Sequence, residues 1–306
     1  MNAQQLSPLW DLAAVAAVGL CLGVWLLVAV WVWQGNRVLP YQPRRPVPWR
    51  ALDLLLVLLI YVAVAAAVQK LVVVTLGPEI TRAAAAVNPN ELSTEHIIAR
   101  LIEHEHGWVL VACGLSAVVV APITEEFLFR VVLQGWLEAE GRRLRRRLPS
   151  LRRLFPGALG PIVLSSFLFG LMHFNTGVPE LHPHHYVGIM IGNSAASVLT
   201  VGLVIALLKF RAGATAADLG WSRQHLVGDI GLGFAAFLAV GLPVYLVQYV
   251  LKEYVLPAYL APDPFALFLL ALVLGTLYYR THRIVPSVAV HVSLNATSTA
   301  LLLLWR

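Results

Sequence analysis

The feature that constrains this chain most is a series of eight apolar runs. They fall at about residues 9–33, 51–74, 107–134, 159–176, 187–208, 227–251, 265–279 and 284–305, and short charged or proline-rich linkers join them. A hydrocarbon slab of ~30 Å calls for ~20 apolar residues in a helix. Within lipid a helix satisfies its own backbone polar groups, which an open strand cannot do. Hydrophobic residues make up 59% of the chain and charged residues 12%, about half the charged share of a soluble domain. One water-facing core cannot bury that much apolar side chain. The expected fold is all-α: a polytopic transmembrane helical bundle of about eight spans, with the lipid bilayer as its first partner.

The net charge of +6 does not point to nucleic acid, because the basic residues lie in the linkers. Sixteen Lys and Arg fall in alternate linkers, including the seven arginines from Arg142 to Arg153. Five fall on the opposite side (Lys70, Arg82, Arg100, Lys252 and Arg306), and Arg130 sits inside a span. The positive-inside rule then places both termini outside and makes a plasma (inner) membrane the expected location. Met1 to Pro8 carry no positive charge, so the first run is expected to stay as a span rather than be cleaved as a signal peptide. Cys21 and Cys113 both lie in apolar runs and are read as unpaired thiols.

Ionisable groups inside a span cost ~2.5–3.5 kcal/mol each on insertion scales, so they mark function by default. The third run contains APITEEFLFRVVLQGW. Glu126 and Arg130 are i,i+4, with the acid first, and share a helix face. Glu125 lies about 100° away from Glu126 and must face something else. Pro122 removes a helix hydrogen bond one turn earlier. In the fourth run, SSFLFGLMHFN, His173 stands i+4 from Phe169; in the eighth, His291 and Asn295 are again i,i+4. A salt-bridged packing cluster accounts for Glu126 and Arg130, and polar residues also hold membrane helices together. Neither reading accounts for Glu125. Spans four and eight run parallel and span three runs against them, so these groups are expected to meet in the inner half of the bilayer.

A carboxylate beside imidazoles can take a proton from water as it attacks a carbonyl, and imidazole and amide N–H groups can donate to the resulting oxyanion. The same atoms suit a second chemistry. Glu125, His173 and His291 are also a two-histidine, one-carboxylate set for catalytic Zn²⁺, and the sequence leaves the cofactor open between none and zinc. No H-E-x-x-H helix is present. Glu103, His104, Glu105 and His106, with His182, His184 and His185, form a second histidine-rich group, read as interfacial loops.

The ordered set E-E-x-x-x-R, F-x-x-x-H and H-x-x-x-N, each within a run, resembles the CAAX prenyl protease and bacteriocin-processing (CPBP, or Abi) family of intramembrane peptidases. The matching stretches are APITEEFLFRVVLQGWLE, FLFGLMHFN and GTLYYRTHRIVPSVAVHVSLN. The resemblance implies a peptide or protein substrate, with Glu125 and His173 activating water and His291 and Asn295 steadying the oxyanion. It gives Glu126 and Arg130 a supporting role. Members of the family have been labelled metalloproteases, and a metal-free glutamate mechanism is the competing view. His173 and His291 are 118 residues apart, longer than the family pattern, and AADLGWSRQHLVGDIGLGF resembles what usually precedes the first motif. Residues 1–106 are therefore read as N-terminal spans and outer loop. Residues 107–306 are read as a peptidase core with a two-span insertion at about 187–264. The rival reading is a transporter or scaffold using the same buried polar groups without catalysis.

Overall fold

A computed structural model describes residues 3–39, 41–43, 45–77, 107–147, 159–173, 183–255 and 263–304. The described residues outside loops are helical: α1 (Ala3–Trp33), α2 (Ala51–Leu76), α3 (Trp108–Arg147), α4 (Leu159–Met172), α5 (Pro183–Ala212), α6 (Leu226–Val250, extended by a π turn at Leu251–Val255), α7 (Asp263–Thr281) and α8 (Val285–Leu304). Seven of these helices are long and apolar enough to cross a bilayer, and α4 is a shorter apolar helix. The chain is an integral membrane protein. The histidine-rich group at 103–106 and His182 lies outside the described residues, as do the side chains of His184 and His185.

The bundle turns large apolar side chains outward and keeps a line of polar residues within its interior. On α3, Glu126, Arg130, Gln134 and Glu138 recur every fourth residue and are all buried, while Val111, Leu115 and Ile123 face outward. Lipid supplies no hydrophobic drive between helices, so close packing and interhelical hydrogen bonds must hold them. Small residues allow the close packing. A Cβ on Gly192 of α5 would lie 2.8 Å from Val72 of α2, and one on Gly233 of α6 would lie 2.5 Å from the Ala289 Cβ of α8. Hydrogen bonds finish the contacts: Trp25 of α1 donates to the Ala239 carbonyl of α6, and the Tyr245 hydroxyl of α6 donates to the Leu294 carbonyl of α8. At the arginine-rich end, Arg45–Asp218 joins two linkers, Arg211–Asp53 joins the ends of α5 and α2, and Arg283–Asp229 ties a linker to the start of α6.

α3 crosses the middle of this bundle and touches α4, α5, α7 and α8. It is not a uniform α-helix. Ser116–Val120 and Phe127–Gln134 are π-helical, on either side of Ala121–Glu126. Such wide turns leave carbonyls without an i+4 partner, and side chains from elsewhere serve them here. The Ala121 N–H bonds back to Ser116, and Pro122 has no N–H to offer Ala117. Asn295 Nδ2 of α8 donates to that Ala117 carbonyl at 2.9 Å. In the second π stretch the buried Trp49 indole donates to the Val132 carbonyl at 3.0 Å.

Candidate active site

Three helices bring the site together: α3 carries Glu125, Glu126 and Arg130, α4 ends beside His173, and α8 carries His291 and Asn295. Glu126 and Arg130 are 0% exposed and pair within one helical turn, Nε to Oε2 at 3.2 Å. The i,i+4 spacing in the sequence dictates this contact. Glu125, one residue back, points away from the pair. Its Oε2 lies 3.6 Å from His173 Nε2 and 3.7 Å from His291 Nε2.

The hydrogen bonds on the far side of each ring define what those Nε2 atoms present. His173 follows the last residue of α4, and its Nδ1 lies 2.8 Å from the Phe169 carbonyl. That carbonyl is one of the last four of a helix, which lack intrahelical partners. A carbonyl only accepts, so His173 Nδ1 carries the ring proton. His291 Nδ1 lies 3.1 Å from Glu126 Oε1, and a carboxylate paired with arginine likewise accepts. In each neutral ring the lone pair is therefore at Nε2, turned toward Glu125. A carboxylate and two imidazole lone pairs from three separate helices face one small space. Glu125 is 20% exposed and His173 26%, whereas His291 is 3% exposed. The space therefore opens on the Glu125–His173 side.

Phe169 forms the wall. Fully buried, it packs edge-on to Phe129 at 5.3 Å, against His173 at 4.6 Å and against His291 at 5.8 Å, with the Arg130 guanidinium 5.3 Å from its ring centre. Asn295 occupies a different position. It shares the α8 face with His291, but one amide proton is committed to the Ala117 carbonyl. This bond is of the helix-tying kind that the sequence allows for Asn295 beside an oxyanion role. Its structural bond follows from Pro122, a signal already present in the chain. Two further polar residues went unremarked in the sequence: Ser165 on α4 and Gln134 on α3, both fully buried beside Arg130. The i,i+4 ladder from Glu126 through Arg130 and Gln134 to Glu138 was the clue.

Zinc held tetrahedrally by bonds of ~2.0–2.2 Å would place its nitrogen and oxygen ligands roughly 3.3 Å apart. The two Nε2–Oε2 separations are wider, and no group of three or more His, Cys, Asp or Glu among the described residues has the arrangement of a metal site. The trio is more open than an ideal tetrahedral zinc set. It fits a water molecule that donates one proton to a carboxylate and is held by an imidazole lone pair.

A family model described as type II CAAX prenyl endopeptidase Rce1-like matches residues 107–297, a stretch that contains every one of these residues. No curated protein and no solved structure matches the chain.

Proposed function

This chain belongs to the Rce1-like type II CAAX prenyl endopeptidase family, and from that premise we propose that it hydrolyses a peptide bond inside the membrane with water activated by Glu125 and His173. The observation that carries the proposal is the convergence of Glu125 Oε2 with the Nε2 atoms of His173 and His291, each on a different helix. Water between Glu125 and His173 gives one proton to the Glu125 carboxylate and is oriented by the His173 lone pair. Its oxygen adds to the substrate carbonyl and forms a tetrahedral oxyanion. Glu125 then passes its proton to the leaving nitrogen, the C–N bond breaks, and the products are a carboxylic acid and an amine, which ionise to carboxylate and ammonium.

The oxyanion needs N–H donors aimed at it. Asn295 has a second amide proton beyond the one given to Ala117. His291 donates from Nε2 only when it carries both ring protons, because Nδ1 faces Glu126. Glu126 then supplies the opposing charge, and Arg130 fixes Glu126 in place. The adjacent glutamates thus have separate tasks: Glu125 moves protons and Glu126 holds an imidazole.

The substrate class we infer is a peptide carrying a prenylated cysteine near its carboxyl end, which reaches the site laterally through lipid. The cut lies toward the arginine-rich, cytoplasmic face, with both termini of the chain on the other side. Residues 107–306 act as the catalytic core. The extra spans within 187–264 play a supporting part, since every residue of the site comes from α3, α4 or α8 and α5 packs against α2.

The test uses purified chain in liposomes and a farnesylated peptide ending in Cys-aliphatic-aliphatic-X. Wild type releases the terminal tripeptide. Glu125→Gln, nearly isosteric and unable to act as a base, lowers the rate by ~10²–10⁴. Cleavage by Glu125→Gln at the wild-type rate refutes the mechanism.

A further inference from the structure

Behind the proposed catalytic groups lies a second set of buried polar residues that the mechanism above does not use. Gln134 is fully buried on α3, one turn beyond Arg130. Its Nε2 donates to the Gly275 carbonyl of α7 at 2.9 Å and to Glu138 Oε1 at 3.1 Å. Both amide protons are thereby used, and the amide cannot flip, because the Gly275 carbonyl is an acceptor only. Gln134 Oε1 must face α4, where the Ser165 hydroxyl shares its one proton between this oxygen at 3.3 Å and the Ile162 carbonyl of its own helix at 3.2 Å. With its proton on either acceptor, the Ser165 oxygen accepts from Arg130 Nη1 at 3.3 Å. Arg130 Nε then donates to Glu126 Oε2, and Glu126 Oε1 accepts from His291 Nδ1. A continuous chain of hydrogen bonds links a backbone carbonyl of α7 to the imidazole of α8, with Arg130 donating to both sides and Glu126 accepting from both.

We propose that Gln134 is a positioning residue: by fixing Ser165 and thus the Arg130 guanidinium, it sets where Glu126 holds His291. This rests on the peptidase reading for its effect on rate, but not for its effect on His291. The geometry requires an anchor of this kind. Arg130 Nη2 has no hydrogen-bond partner among the described residues. The guanidinium is therefore held only by Glu126 on its Nε side, Ser165 at Nη1 and the Phe169 ring. Removing the Ser165 contact leaves a long side chain tethered at one end, free to rotate about its Glu126 contact.

Gly275 makes the arrangement sensitive to a single methyl group. A Cβ there would lie 3.0 Å from Gln134 Oε1, 3.1 Å from Ile162 Cγ2 and 3.6 Å from Arg130 Nη1. Gly275→Ala thus displaces the same amide from outside, with no polar group altered. Gln134→Met removes the amide at nearly constant volume, and Ser165→Ala cuts the next link.

Two readouts test the proposal. The first is kinetic, on the liposome-reconstituted full chain with the farnesylated peptide. Gln134→Met, Ser165→Ala and Gly275→Ala each lower kcat between about tenfold and 10²-fold with KM little changed, as expected when a reacting group is misplaced. The Gln134→Met/Ser165→Ala double variant is no slower than the worse single variant, because both cut one chain. A residue that merely ties α3 to α7 would lower thermal stability, leave kcat per folded molecule unchanged and give additive losses. The second readout needs no activity: the ring ¹⁵N and Nδ1–H resonances of His291 in histidine-labelled protein, assigned by their loss in His291→Asn. They shift in Gln134→Met and in Gly275→Ala. If both variants fold with wild-type His291 resonances and wild-type kcat, the proposal is overturned. If Glu125→Gln cleaves normally while the His291 resonances shift as described, the peptidase mechanism has failed and the positioning role stands.

Discussion

Arg130→Met gives a quantitative test of how this bundle holds its centre. Both members of the Glu126–Arg130 pair are fully buried, and the guanidinium also bonds Ser165 and lies 5.3 Å from the centre of the Phe169 ring. Removing one partner of a buried ion pair costs ~3–5 kcal/mol, chiefly because the other charge is left without compensation. The desolvated cation–π contact is worth about 2 kcal/mol, but it overlaps with the same event and is not added in full. The expected loss for Arg130→Met is therefore about 4 kcal/mol. The double variant Glu126→Gln/Arg130→Met leaves no buried charge, and methionine still covers Phe169. It should fall within ~1–2 kcal/mol of wild type, which makes it ~2–3 kcal/mol more stable than Arg130→Met alone. The assay is reversible unfolding in mixed micelles of increasing SDS fraction, followed by circular dichroism. If the double variant loses the sum of the two singles within ~0.5 kcal/mol, Glu126 and Arg130 are energetically independent and the argument from the buried pair is wrong.

Three further outcomes are expected. Gly233→Leu forces apart α6 and α8, because even a Cβ there would lie 2.6 Å from the Pro286 carbonyl; overpacking of this kind costs ~1–3 kcal/mol or more, read as a lower thermal midpoint. Asn295→Leu leaves the Ala117 carbonyl of the π turn unserved, a loss of ~1–3 kcal/mol in stability that Asn295→Gln does not fully restore, since its amide is one methylene further out. At the arginine-rich end, burial alone pushes the Asp218 carboxyl up, but hydrogen bonds from Arg45 and Thr215 outweigh it and hold the group below the usual carboxylate range. The unfolded chain then binds that proton more readily, so this contribution to stability is complete above ~3.9, the ordinary Asp value, and is lost as pH falls through the lower folded value. Thermal midpoints measured across that acid range should fall in wild type and fall less in Asp218→Asn.

Much of the molecule was legible in the chain because it is local in origin. Run length fixed eight helices, seven of them long enough to cross a bilayer. Spacing fixed the Glu126–Arg130 contact and sent Glu125 elsewhere, since a helix turns 100° per residue. The order of the polar motifs carried the family resemblance. The same logic extends to Gln134 and Glu138, which continue the four-residue ladder along α3.

What the sequence could not decide is which atoms meet across helices. Nothing local says that His291 turns Nδ1 to Glu126 and Nε2 to Glu125, or that His173 follows the end of a short helix and bonds its Phe169 carbonyl. Nor does spacing reveal that the absent N–H of Pro122 is answered by Asn295 from 178 residues away. Along one helix, covalent geometry sets direction and separation. Between helices these depend on how closely two backbones approach, and in this bundle glycines at the contacts and carbonyls freed by π turns set that approach.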